Sequence, residues 1–176
     1  MSAFQIRPTV EADLPVITAI YANAVATGTA TFEIEPPDLA EMKRRFERLV
    51  TGGFPYLVAV QDQTVVGYSY AGPYHQRPAY RFTVEDTIYL APSTHRQGVG
   101  TALLQQLIAQ SEARGFRQMI AVVGNSENIA SLRLHERAGF KLVGTTENVG
   151  FKFGRWLDAV IMQRALGSGA ETLPEL

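Results

Sequence analysis

The chain has 176 residues, 46% of them hydrophobic and 19% charged, with a formal net charge of −1 and no cysteine. That length fits one domain with a sizeable core, and near-neutrality argues against nucleic acid or an anionic membrane as partner. The missing thiols exclude disulfides, thiolate metal sites and an acyl-cysteine intermediate. Met1 to Pro8 carry no basic stretch followed by an apolar run, and no segment reaches membrane length, so a soluble cytoplasmic protein is expected.

Residues 4–7 predict a short first strand. Thr9-Val10-Glu11-Ala12-Asp13-Leu14-Pro15 then combines polar caps, early acids and a first-turn proline, the chemistry of a helix start. Leu14, Ile17, Tyr21 and Ala24 recur at helical spacing, so that helix runs to about Val25. A loop covers 28–37. Asp38 with Glu41 predicts a capping box for a helix that contains Met42, Phe46, Leu49 and Val50 and ends at Gly52-Gly53. Residues 56–60 and 65–70 flank Asp62-Gln63 as a hairpin, and 81–90 predict another long strand. From Val99 onward, Leu103, Leu104, Leu107 and Ile108 mark an amphipathic helix that stops near Arg114-Gly115. Residues 119–123 have the composition of a buried strand, 128–138 are helical in pattern up to Gly139, and 141–147 and 156–163 complete the order as strands. Periodicity fades after Arg164, so a domain over 1–166 with a mobile tail at 167–176 is expected. The order β-α-α-β-β-β-α-β-α-β-β predicts a single-domain α/β fold around a mixed sheet flanked by helices, without internal repeat or linker.

The most informative stretch runs from Ile88 to Thr101. An apolar, aromatic run breaks at Pro92, passes through a polar turn and opens at Gly98-Val99-Gly100 into a helical pattern. A strand, a tight loop and a helix N-terminus in that order expose N–H groups at the positive end of a helix dipole, where phosphate binds. Neither common dinucleotide loop fits: Leu103 stands where a Rossmann loop has its third glycine, and no Gly-Lys-Ser/Thr occurs. Taken alone, Gly98 and Gly100 fit a plain turn into a helix equally well.

His95-Arg96-Gln97-Gly98-Val99-Gly100 resembles the acetyl-CoA diphosphate loop of the GNAT superfamily of N-acetyltransferases, and 128–140 resemble its second cofactor segment, opened by Asn128 and Ser131 and closed by Gly139-Phe140. One departure is His95, where the superfamily usually has Gln or Arg. Four further stretches resemble the phosphinothricin and methionine sulfoximine acetyltransferases: 31–36, 80–85, 132–136 and 152–158. The resemblance implies a GNAT-like fold with a mostly antiparallel central sheet, acetyl-CoA as cosubstrate, a small amino-acid analogue as acceptor, and a homodimer. It implies cofactor contacts at Ile88, Tyr89, Leu90, Arg96, Gln97, Gly98, Val99, Gly100, Thr101, Asn128 and Ser131, with an oxyanion donor among the 88–90 amides if strands part there.

Amide formation from a thioester needs a deprotonated amine and a proton for the leaving thiolate. Glu85 sits in a β-forming run just before the phosphate loop, where partial desolvation would raise its pKa toward that of a base; the alternative is a solvated carboxylate on a sheet face. The resemblance places the catalytic base there. Asp86 alternates to the opposite face and is the weaker candidate. Asn128, Ser131 and His135 share one helix face within about 60°, and the phosphinothricin-type enzymes carry a histidine at the His135 position as proton donor; the alternative is a structural histidine. His75 and His95 show no metal-ligand spacing with it, so no metal is expected. Arg81 suits a substrate oxyanion, Tyr80 and Phe32 suit pocket walls, and Arg155 with Trp156 resembles a segment that completes the pocket near the dimer interface. Other acceptors, a protein N-terminus or a polyamine, remain open, as does a CoA-binding paralogue without turnover.

Overall fold

The computed structural model describes residues 4–94 and 97–174. His95 and Arg96, both in the expected diphosphate loop, lie outside the described residues. The elements follow the expected order: β1 (Phe4–Pro8), α1 (Leu14–Thr27), α2 (Leu39–Thr51), β2 (Tyr56–Gln61), β3 (Thr64–Pro73), β4 (Thr83–Leu90), α3 (Val99–Ala113), β5 (Gln118–Gly124), α4 (Ile129–Arg137), β6 (Lys141–Lys152) and β7 (Arg155–Ala165). The strands form one sheet in the order β1-β2-β3-β4-β5-β7-β6. Each neighbouring pair is antiparallel except β4 and β5. Those two run parallel, and parallel strands need a crossover, which α3 supplies.

Strand alternation divides the core between the two faces. Leu57, Ala59, Ala71 and Val84 pack with Leu103, Leu104 and Leu107 of α3 on one side. Tyr56, Val58 and Tyr68 pack with Leu14, Ile17 and Val25 of α1 and Met42 of α2 on the other. Local chemistry fixes the joints. Asp38 caps α2 by accepting from the Glu41 N–H at 2.7 Å. Asp62 and Gln63 both take positive φ (47° and 63°), which closes the two-residue β2–β3 hairpin.

Two boundaries differ from the sequence expectation. The strand expected from Arg81 begins at Thr83, because Pro78–Tyr80 form a 3-10 turn and Arg81 caps it in the αR conformation. The last two strands are longer than expected and meet at Phe153-Gly154, both at positive φ. β6 is an edge strand with most residues exposed, so burial imposes little alternation on its sequence. After β7, Leu166 is fully buried, and Arg117 donates to the Ser168 and Thr172 hydroxyls and to the Gly169 and Leu173 carbonyls. Among the described residues, no helix is long and apolar enough to cross a membrane.

The first strand is tied to the first helix by one acid. Both terminal nitrogens of Arg7 donate to Asp13 at 2.7 Å, and the Val10 N–H donates to the same carboxylate at 2.9 Å. The Arg7 hydrogen bond outweighs burial and holds the Asp13 pKa below the ordinary carboxylate value. Asp13→Ala should cost about 1–3 kcal/mol. A depressed folded pKa stabilises above the unfolded pKa and ceases to do so as pH falls through the folded one. Urea titrations should therefore show a full stability gap between wild type and variant at pH 7 that closes in acid.

Candidate active site

The parallel pairing of β4 with β5 covers Thr83↔Gln118, Val84↔Met119 and Glu85↔Ile120, and then stops. β4 continues to Leu90 against β3, and β5 continues to Gly124 against β7. The sheet therefore parts beyond Glu85. At the two ends of the β3–β4 ladder the Ala91 N–H reaches the Val66 carbonyl (2.9 Å) and the Tyr74 N–H reaches the Thr83 carbonyl (3.4 Å). Antiparallel alternation from these ends turns the amide groups of Asp86, Ile88 and Leu90 toward the β5 side; beyond the last pair with β5, those of Ile88 and Leu90 face the gap.

A cavity of about 1060 Å³ occupies this gap and is lined by residues from both sheet faces. On one face it is lined by Asn23, Ala30, Thr31 and Phe32; on the other by Gly98, Val99, Gly100, Thr101, Asn128, Ser131 and His135. Glu85, Ile88, Tyr89 and Leu90 border it along β4, and Ala121 to Gly124 along β5.

The two ends of this passage carry different chemistry. α3 begins at Gly98, whose φ of 82° lies in the left-handed region, and no side chain caps the helix. The first intrahelical bond comes from the Ala102 N–H to the Gly98 carbonyl, so the Val99, Gly100 and Thr101 amides have no acceptor within the helix. Gln97 turns its side-chain amide to the Ser93 carbonyl at 3.1 Å. α4 differs: its Asn128 side chain accepts from the Ser131 N–H at 3.3 Å and is occupied as a cap.

Glu85 and Asp86 are adjacent acids on opposite faces. Glu85 has no hydrogen-bond or ion-pair partner among the described residues, and burial, followed by the charge of Asp86, raises its pKa. Asp86 points the other way, with Val84, Ile88 and Leu90, toward α4. There its Oδ2 lies 3.0 Å from Nε2 of His135, and both residues are buried. The other ring nitrogen, Nδ1, lies 2.8 Å from the Ser131 carbonyl. Burial opposes charge on this ring, but the hydrogen bond and charge of Asp86, with the Ser131 carbonyl, raise its pKa above the ordinary histidine value. Asp86 was the weaker candidate in the sequence. The signal for it was available: an acid placed on the apolar face of an inner strand must find a partner.

The profile of the Acetyltransferase (GNAT) family matches residues 17–140. The chain belongs to the GNAT acetyltransferase family. It is 53% identical over 173 residues to a phosphinothricin N-acetyltransferase of Alcaligenes faecalis, covering 98% of this chain and 88% of that protein. It is 42% identical over 164 residues to an L-methionine sulfoximine/L-methionine sulfone acetyltransferase of Pseudomonas aeruginosa, covering 93% and 94%. A crystal structure of a GNAT superfamily phosphinothricin acetyltransferase from Sinorhizobium meliloti with acetyl-CoA superposes with a TM-score of 0.96 at 46% identity, over 99% of this chain and 94% of that one. The protein is thus an acetyltransferase on a single-domain α/β fold.

Of the five expected substrate residues, Phe32 lines the acetyltransferase cavity and the other four lie outside it. Tyr80 packs with Tyr74 and His75, at ring separations of 5.7 and 4.9 Å, around a second, open hollow that Arg77 also borders. The Arg81 guanidinium lies 4.7 Å over the Phe82 ring and donates to the Pro78 carbonyl. Arg155 pairs with Glu127 at the surface (3.0 Å), and Trp156 is 63% exposed against Phe151. The wall bearing Phe32 is held by contacts the sequence did not suggest. Buried Lys152 donates to the Thr31 carbonyl (3.0 Å), and Tyr21 and Thr31 share a hydroxyl bond of 3.0 Å. Asn125 donates to the Thr29 hydroxyl (3.0 Å), and a Cβ on Gly124 would come within 2.7 Å of the Thr29 carbonyl oxygen. Except for Tyr21 and Thr31, these partners lie far apart in sequence, so no local pattern marks them.

An acid whose folded pKa is raised costs stability once pH exceeds its unfolded pKa, since the charged form is disfavoured in the fold. Glu85→Gln should therefore unfold at a higher temperature than wild type at pH 7.5. That gain should vanish near pH 4, where calorimetry would find the two proteins alike.

Proposed function

We propose that this acetyltransferase moves the acetyl group of acetyl-CoA to the α-amine of a small amino-acid analogue of the phosphinothricin, methionine sulfoximine or sulfone type, by direct attack in a ternary complex. One observation carries the reading: a single passage through the parted sheet joins uncapped helix amides on one face to a desolvated carboxylate on the other. The substrate names come from the relatives, of both kinds, that cover nearly the whole chain.

The residues present fit acetyl-CoA. The Val99, Gly100 and Thr101 amides, which have no acceptor among the described residues, form an anion site at the positive end of α3, and Gly98 leaves its approach open, with nothing within 4 Å of a Cβ placed there. Gln97, Asn128, Ser131 and the β4 edge at Ile88, Tyr89 and Leu90 complete the cofactor side, with Arg96 assigned to it from the sequence. When bound, acetyl-CoA supplies an acetyl thioester. The Ile88 and Leu90 amides face the gap and are placed to donate to its carbonyl oxygen as charge develops there. Glu85, unpartnered and raised in pKa, takes a proton from the substrate ammonium group, directly or through water. His135 supplies the proton that converts the leaving thiolate to the thiol.

Phe32 forms the apolar wall of the acceptor side. Tyr80, Arg81, Arg155 and Trp156 join it through a second copy of the chain. The apolar surface of β6 and β7, where Leu142, Phe151 and Trp156 are all more than half exposed, is the face a homodimer covers. Light scattering after gel filtration should give twice the chain mass, and Trp156→Glu should lower it toward the monomer; a wild-type monomer would remove these four residues from the site.

Thiol release from acetyl-CoA should follow addition of phosphinothricin or methionine sulfoximine, with intersecting initial-velocity lines; no release with either substrate would overturn the reading, and parallel lines would overturn the ternary complex. Glu85→Gln should lower kcat by about 10²–10⁴-fold with little change in KM for acetyl-CoA. Wild-type kcat/KM should fall in acid with a limb above the ordinary carboxylate range, and the variant should lose that limb.

A further inference from the structure

His135 is clamped at both ring nitrogens, and the two partners differ in what they allow. The Ser131 carbonyl, 2.8 Å from Nδ1, can only accept, so Nδ1 carries a hydrogen. Asp86 Oδ2, 3.0 Å from Nε2, belongs to a carboxyl group with no other hydrogen-bond partner among the described residues, and its Oδ1 is fully buried. A neutral ring with Nδ1–H would set the Nε2 lone pair against carboxylate oxygen inside the protein. The contact is favourable only with a second proton between Nε2 and Oδ2. The Phe140 ring, edge-on at 5.0 Å and 88°, packs against the imidazole.

We infer that Asp86 is a positioning residue of the acetyl-transfer site, which from β4 holds the buried His135 of α4 in one orientation with a proton on each ring nitrogen. This deepens the reading in which His135 supplies a proton to the leaving thiol. Without Asp86 the ring has no reason to keep its second proton at neutral pH. With it, α4 and β4 are bridged across the cavity by an ion pair, and a proton is stored beside the gap in the sheet.

The other charged groups around the ring are few. β4 contributes Glu85 as well as Asp86, but on the opposite face. α4 contributes Arg133 and Arg137, which line the same cavity. The lining from α3 and β5 is uncharged: Val99, Gly100 and Thr101 from the first, Ala121 to Gly124 from the second. Asp86 is thus the acid in contact with the ring, and its amide analogue tests the inference directly. In Asp86→Asn, the side-chain NH₂ can donate to an unprotonated Nε2, which stabilises the neutral ring in the same place.

The test reads the ring before it reads turnover. His135 is one of three histidines, and its imidazole resonance is assigned by its loss in His135→Gln. In Asp86→Asn its titration midpoint should fall by about 1–3 pH units from the wild-type value. Should Asp86→Asn not fold, Asp86→Ser removes the same charge and is read the same way. An unmoved midpoint in either folded variant overturns the inference. The alkaline limb of kcat should fall by the same interval, with KM for acetyl-CoA within about twofold of wild type. A shifted ring titration with an unchanged rate profile keeps the hold of Asp86 on His135 and removes His135 as the proton donor. The resonance is followed without substrate, so failure to find turnover on any amine would leave this result standing and strike only the proposed function.

Discussion

The parting of β4 from β5 is the constraint on which the rest of the molecule turns. A continuous sheet would separate the α1/α2 layer from the α3/α4 layer with two rows of satisfied backbone hydrogen bonds. Here the parallel pairing stops at Glu85↔Ile120, and both strands stay anchored by their outer neighbours, β3 and β7. The opening is therefore a fixed feature of the pairing register and requires no movement of either layer. Because β5 carries on past the point of separation, the passage has a wall on each side, and groups from both layers reach one volume.

Period-two alternation then gives neighbouring acids unlike environments. Glu85 meets the layer of α1 and the loop carrying Phe32, where it has no partner among the described residues and burial raises its pKa. Asp86 meets α4, where burial is matched by His135. A single strand thereby presents an unpaired carboxylate on one face and an ion-paired one on the other. Glu85 and His135 thus lie on opposite faces of the sheet and line the same passage.

Much of the fold was legible because burial imposes a period. α1 and α3 carry their apolar stripe, β2, β3 and β5 carry continuous apolar runs, and the β2–β3 turn is placed by two residues between them. Where burial is one-sided or absent the sequence is quieter. β6 lies at the sheet edge and its length was underestimated, and Arg81 looked like strand although Pro78 bends its backbone into a turn. The candidate site divides in the same way. Gly98 to Thr101 and the α4 face bearing Asn128, Ser131 and His135 line one cavity, and a glycine turn and a helical period mark both in the sequence. Asp86 is less legible: alternation sends it away from Glu85, and its partner on the far face, His135, lies 49 positions further on. The contacts of Lys152 and Asn125 with the 29–31 segment link residues about a hundred positions apart, and nothing local encodes them.

Two positions where the sheet opens are left unfilled. Several polar groups elsewhere are closed: Asp13 takes Arg7 and the Val10 amide, Asp38 caps α2, and Asn128 caps α4. α3 alone of these later helices begins at a glycine with no side chain to cap it, although capping is worth about 1 kcal/mol and a Ser or Asp there would supply it. Glu85 is likewise left without a cation among the described residues, although arginines are plentiful in the chain. A fold selected for stability alone would fill both positions. Leaving donors without an acceptor among the described residues at one mouth of the passage, and a destabilised carboxylate at the other, makes sense if ligands complete them, the anionic end of a cosubstrate at α3 and an ammonium group at Glu85. The opening in the sheet and the two unfilled positions are then parts of one arrangement, in which a bound molecule would supply the partners that the fold leaves out.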